Sequence, residues 1–285
     1  MESFLRPAVV IHAMRFPAVS GTFYDADPAK LRKDIRRCFL SGRGPGELPD
    51  EHNRGSSRKI RGMVVPHAGY VYSGEIAAHA YLELWKDGIP ETIVVIGPNH
   101  YSDWPAAALS SENYLTPFGE VGVDMHTSKM LEGGYIQFDD ISQASEHSIE
   151  VQLPFLQFLS GDFEFLPVCM GAQNVDTAIS LGSRIAGVLK GKDAVIIASS
   201  DFSHYVPAAS AQVKDMKAIE SILALDPVRL VKTVIGERIT MCGYGPVAAM
   251  LSAVDSTKGT LLSYGHSGQV EPMENVVGYG AIKIE

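Results

Sequence analysis

Three apolar runs in this 285-residue chain end at a small or kinked turn, and each is followed within a few residues by a histidine: IRGMVVPHAGY with His67, ETIVVIGPNHY with His100 and DAVIIASSDFSHY with His204. Short β-branched runs without polar alternation predict strands buried on both faces, as in a mainly parallel sheet. Such sheets bind ligands in the crevice beyond their carboxyl ends. The three imidazoles are therefore expected to converge on one site.

The rest of the chain fits an α/β reading. Asp27 as N-cap and Pro28 at the first helical position, followed by Leu31, Ile35 and Phe39 every fourth residue, predict a helix over 28–40. Strands are expected at 60–65, 92–96, 163–169 and 194–198, and helices at 74–85, 175–189, 210–225 and 246–254. Two closing strands, 260–264 and 276–284, are Gly-rich and mixed, which suggests antiparallel pairing near a sheet edge. The expectation is a single domain over 1–285, with a central mainly parallel, mixed sheet flanked by helices. Residues 1–14, with a brief apolar piece from Pro7 to Ile11, read as an N-terminal extension too short for a secretory segment. Residues 41–59 are rich in Gly, Pro, Ser and charge and read as a flexible loop.

A net charge of −9 argues against nucleic-acid binding, which needs a basic face. No stretch approaches the roughly 20 apolar residues of a membrane span. Three widely spaced cysteines, Cys38, Cys169 and Cys242, make no disulfide framework and point to the reducing cytoplasm.

A lone histidine at a strand end is more often a packed or hydrogen-bonded residue than a chemical one. Three at equivalent positions, beside Pro, Gly, Asn and Ser, favour chemistry. Cys242 lies in the turn MCGYGP, where a thiol can become a thiolate on a metal, whereas Cys38 and Cys169 suit packing. Two or three imidazoles with one thiolate suit Fe(II), copper or Zn(II), and not Mg or Ca. Asp201, three residues before His204, is a candidate orienting acid beside a general acid/base, or a simple turn cap. His147 and Glu150 share one side of a helical turn, as pocket groups or as a capping pair. Tyr70, Tyr72, Tyr205 and Tyr244 flank the candidate ligands and either line a pocket or pack. His12, His52, His79, His126 and His266 lack this combination and read as structural or exposed.

The ordered series RFPAVSGTFY, VVPHAGYVYSG, IGPNH, EHSIEVQLPFLQ, ASSDFSHY, MCGYGP and VVGYGAI resembles the Memo family, also called protein B of the AmmeMemoRadiSam system, across almost the whole chain. That resemblance implies a fold similar to class III extradiol dioxygenases of the LigB type, which use non-haem Fe(II). It implies metal positions at His67, His100 and Cys242, with His204 as a further pocket histidine and a radical-SAM system as a possible partner. The dioxygenases carry a carboxylate where Cys242 falls, which puts ring cleavage in doubt.

Two classes of function follow. One is a non-haem metal-dependent redox enzyme of dioxygenase-like type, with His204 moving a proton and Asp201 assisting. A hydrolytic version would use a Zn-bound water. The other is a non-catalytic metal-handling or scaffold protein that binds a small molecule, peptide or phosphopeptide. Phosphopeptide recognition calls for arginines, and none lies in the DFSHY, PHAGY, GPNH or CGYGP loops. A metal-free cysteine hydrolase built on Cys242 ranks lowest.

Overall fold

The computed structural model describes residues 13–52 and 54–285. Pro7 to Ile11, His12 and most of the N-terminal extension lie outside the described residues. The elements in chain order are β1 (Met14–Arg15), α1 (Pro28–Leu40), β2 (Gly62–Val65), α2 (Tyr70–Asp87), β3 (Thr92–Pro98), β4 (Ala107–Leu109), β5 (Asn113–Thr116), β6 (Gly119–Val123), α3 (Met125–Leu131) and β7 (Ile136–Phe138). They continue with α4 (Leu153–Ser160), β8 (Glu164–Met170), α5 (Val175–Leu189), β9 (Ala194–Ser199), β10 (His204–Pro207), α6 (Ala208–Leu223), α7 (Pro227–Gly236), α8 (Tyr244–Ala253), β11 (Gly259–His266) and β12 (Asn275–Ile284).

The sheet runs in the order β1-β5-β6-β8-β3-β9-β2-β12-β10, with β11 added to β12 and a β4–β7 pair added to β8. Its centre, β8-β3-β9-β2, is parallel, as the uninterrupted apolar runs require. Alternate residues of each run supply opposite faces. Met63 and Val65, Ile93 and Val95, and Val195 and Ile197 pack into one core with α1, α2 and α4. Val64, Val94, Ile96, Ile196 and Ala198 pack into the other with α5, α6, α7 and α8. A polar residue anywhere in these runs would face one core or the other.

This order places the site. Strand β9 lies between β3 and β2, so three adjacent carboxyl ends release the turns that carry His100, Asp201 and His67. Neighbouring strands are about 4.8 Å apart, which brings side chains from the outer two within reach of one another across the middle one.

Three features depart from the sequence expectations. Helix α2 begins at Tyr70, four residues before the expected start, because the chain turns into the helix directly at Gly69. Strand β12 is internal: it pairs antiparallel with β2, with β10 and, along most of its length, with β11. The segment 41–59 has no regular structure, but Trp85 donates its indole N–H to the Asp50 carbonyl, and Arg58 bridges Asp87 and Asp193. No helix among the described residues is long and apolar enough to cross a membrane.

Candidate metal centre

His67 leaves β2 through Pro66 and is almost fully buried. Its Nδ1 lies 2.8 Å from Ser199 Oγ. The single hydroxyl hydrogen of Ser199 is given to the Ser148 carbonyl at 2.6 Å, and Gln152 Nε2 donates to the same oxygen at 2.8 Å. With that hydrogen committed, Ser199 can only accept from His67, so the imidazole carries its proton on Nδ1 and keeps the lone pair on Nε2. Nε2 lies 3.3 Å from Cys242 Sγ. Burial and the neighbouring His147 and His100 hold the His67 pKa well below the ordinary range, so the ring is neutral.

His100 is fixed in the same sense by Glu146. That buried carboxylate accepts four N–H groups: the backbone and Nδ1 of His100, at 2.6 and 3.0 Å, and the backbones of His147 and Ser148, each at 2.8 Å. Burial alone would raise the Glu146 pKa, but hydrogen bonding and the charge of His100 outweigh it and leave the carboxyl at about 2. An ionised carboxylate only accepts, so His100 donates through Nδ1. Burial alone would lower the His100 pKa, but the hydrogen bond and charge of Glu146 outweigh it and raise the pKa, and Nε2 offers its lone pair to a metal once the ring gives up its second proton. Glu146, directly before His147, is a site residue that sequence reasoning missed, as are Ser199 and Gln152. Its signal was a carboxylate next to a candidate histidine. Gly97, at the end of β3, permits this contact, because a Cβ there would stand 2.3 Å from Ser148 Oγ.

Cys242 comes from the turn between α7 and α8. Its sulfur accepts the Asp201 N–H at 3.2 Å, Gln173 Nε2 holds its carbonyl at 2.8 Å, and Gly243 N–H donates to Ser200 Oγ at 3.0 Å. A Cβ at Gly243 would lie 2.4 Å from the Ser199 carbonyl, so a glycine is required for the turn to press onto β9. Burial, and next the Asp201 carboxylate, push the Cys242 thiol well above its usual range. Cys38 and Cys169 are buried in the core, away from this point.

One donor atom from each of His67, His100 and Cys242 falls within 4.8 Å of the others. Tetrahedral Zn–N and Zn–S bonds of about 2.0 and 2.3 Å imply an N···S separation of about 3.5 Å. The observed 3.3 Å fits a shared ion. His100, Glu146 and His147 form a second close group, but Glu146 already accepts four N–H donors and serves to orient the His100 imidazole.

The centre lies in the wall of a cavity of about 620 Å³ that His147, Asp201, His204 and Tyr205 also line. His147 stacks on His100, with ring centroids 4.9 Å apart, and burial lowers its pKa to about 4. His204 directs Nδ1 at the Phe202 and Thr240 carbonyls, both at 2.8 Å; Nδ1 is therefore the donor and Nε2 keeps the lone pair. Asp201 accepts the His67 backbone N–H at 2.9 Å, so it caps the PHAG turn as well as facing the cavity, and burial raises its pKa. Tyr72 is part of the lining.

Tyr70 and Glu150, expected in the pocket, are elsewhere. As the first residue of α2, Tyr70 turns into the core and donates its hydroxyl to the Val151 carbonyl at 2.7 Å. Glu150 is fully buried and accepts from Ala18 N, Val19 N and Tyr24 Oη, at 2.7, 3.1 and 2.6 Å. It fastens the segment that presents Phe23, whose ring meets His147 edge-on at 4.9 Å.

The profile of Memo-like proteins matches residues 15–283. The chain belongs to the Memo family. It is 45% identical over 278 residues to a MEMO1 family protein of Methanopyrus kandleri, covering 94% of this chain and 98% of that one. It is 44% identical over 278 residues to a MEMO1 family protein of Methanococcoides burtonii, covering 95% and 100%. The crystal structure of uncharacterized protein JW3007 from Escherichia coli K12 shares the fold, with a TM-score of 0.52 and 13% identity over 80% of this chain and all of that one. The ordered motifs of this Memo-family chain thus come together: all seven segments that carry the resemblance contribute a residue to the cavity or its metal donors, with Phe23, His67, His100, His147, His204, Cys242 and Tyr279 among them.

Proposed function

We propose that the protein holds one transition-metal ion on His67 Nε2, His100 Nε2 and Cys242 Sγ and acts on a small molecule bound in the adjoining cavity. The observation that carries this reading is the convergence of three lone-pair donors whose tautomers are set by Ser199 and Glu146. Such ordering of imidazoles is what metal sites use to align ligands. Two nitrogens and a sulfur suit Fe(II) or copper, with Zn(II) also accommodated.

A bound redox metal would supply electron transfer and an open position for the ligand. The residues of the chain do the rest. His204 takes up or delivers a proton through Nε2, with Nδ1 pinned to two carbonyls. Asp201 holds the His67 turn and the cavity face between the metal donors and His204. The aromatic flank excludes water. This arrangement supports a dioxygenase-like oxidoreductase reading over a metal-free cysteine nucleophile, because burial keeps the Cys242 thiol protonated. All three cysteines are free, in keeping with a cytoplasmic protein.

The test is anaerobic loading with Fe(II) or Cu(I), followed by oxygen-uptake measurements with candidate ligands, comparing the wild type with His204→Gln. Ligand-dependent uptake that drops about a hundredfold in the variant while metal content stays equal supports the proton-transfer role. Metal that loads without any ligand-dependent uptake favours metal handling without turnover.

A further inference from the structure

We propose that the cavity takes an uncharged ligand with a flat apolar body, and that Tyr205 is the specificity-determining residue that closes over that body. The proposal rests on the metal reading only for the ligand's donor end. Among the described residues sixteen line the cavity, and none of these is a lysine or arginine. The Cys242 thiolate would offset one of the two charges of a divalent ion. Arg15 is buried, directs Nη2 at the Gln143 and Glu146 carbonyls with Glu150 3.8 Å away, and is not part of the lining. A dianionic phosphoryl group would therefore find no guanidinium or ammonium partner among the described lining residues and at most a partial countercharge.

The rest of the lining is largely apolar, with Phe23, Val71, Tyr72, Met273, Val277 and Tyr279. Aromatic faces and a thioether are suited to a flat hydrocarbon body. The four histidines and Asp201 supply the ionisable part of the lining, so the ligand carries a polar donor group on an apolar body.

Tyr205 has a left-handed backbone, φ 56°, and is 79% exposed. It sits where the pairing of β10 with β12 shifts register between His204 and Val206. That conformation costs a non-glycine residue about 1 kcal/mol. An aromatic ring with this exposure returns little packing energy to the fold. Its position on the cavity rim beside His204, ring centroids 5.9 Å apart, gives it a use once a ligand is present.

The experiment uses two fluorescent probes with the same ring, 2-naphthol and 2-naphthyl phosphate, titrated into full-length protein whose zinc content has been measured. 2-Naphthol is expected to bind at least about tenfold more tightly than the phosphate. Tyr205→Gly, which relieves the backbone, should leave the melting temperature equal or higher while weakening 2-naphthol about fivefold. Equal or tighter binding of 2-naphthyl phosphate overturns the ligand class. Unchanged 2-naphthol affinity in Tyr205→Gly overturns the role of Tyr205. If neither zinc nor Fe(II) nor Cu(I) loads, the metal reading fails, and the same ranking on the metal-free protein still decides this one.

Discussion

Ser199 Oγ stands 2.8 Å from His67 Nδ1 while giving its own hydrogen to the Ser148 carbonyl, so one hydroxyl determines which nitrogen of His67 is open to a metal. Ser199→Ala removes that constraint and leaves the imidazole free to change tautomer. Metal affinity should fall about 10- to 100-fold, with a loss of about 1–2 kcal/mol in stability from the stranded Gln152 and Ser148 groups. Competition titration against a chelator measures the first and urea unfolding the second.

Glu146 titrates with a distinctive sign. Its folded-state pKa is depressed from 4.5 to about 2, so its contribution is fully present above pH 4.5 and is lost as pH falls toward 2. The shift corresponds to about 3 kcal/mol. The stability gap between wild type and Glu146→Gln, measured in metal-free protein, should therefore shrink over that window. A gap that stays constant with pH would contradict the assignment.

The depth of the Cys242 thiol makes metal uptake a proton-releasing step. Burial and Asp201 raise its pKa, so a metal must displace a bound proton at neutral pH. Apparent affinity should increase about tenfold per pH unit from pH 6 to 8. Calorimetry in buffers of different ionisation enthalpy should register at least one proton released per metal bound.

Glu150 provides the contrast. Removing it leaves Ala18 N, Val19 N and Tyr24 Oη without their acceptor, and Glu150→Ala should cost about 3 kcal/mol or more. Its metal affinity should stay within about threefold of wild type, since Glu150 donates nothing to the His67, His100 and Cys242 cluster. A large loss of metal affinity in a folded variant would place Glu150 in the site after all.

Much of this arrangement was legible because buried parallel strands leave a strong trace. The runs ending before His67, His100 and Asp201 have apolar residues at every position, since each residue meets one core or the other. Helix boundaries were clear at Asp27-Pro28, where the cap side chain accepts the Lys30 N–H. The same pair recurs at Asp226-Pro227 and caps α7, a helix that a search for apolar periodicity alone passed over. The short strands β4 to β7 were not read, as three to five residues carry too little pattern. Ser199, Gln152 and Glu146 were not legible as site residues because their role depends on partners 46 to 132 positions away in the chain. Glu150 was misplaced for a related reason, since spacing along a helical turn shows which residues share a side and not which side faces the cavity, and Tyr70 because nearness to His67 in the chain does not show which way a side chain turns.

Metal titration of wild-type protein alongside Cys242→Ser, Cys38→Ser and Cys169→Ser tests the convergence of His67, His100 and Cys242 most directly. About one Fe(II), Cu(I) or Zn(II) per chain is expected in the wild type and in the Cys38 and Cys169 variants, with affinity lost selectively in Cys242→Ser. Failure of the wild type to bind any of the three metals, or equal affinity in all three variants, would contradict it.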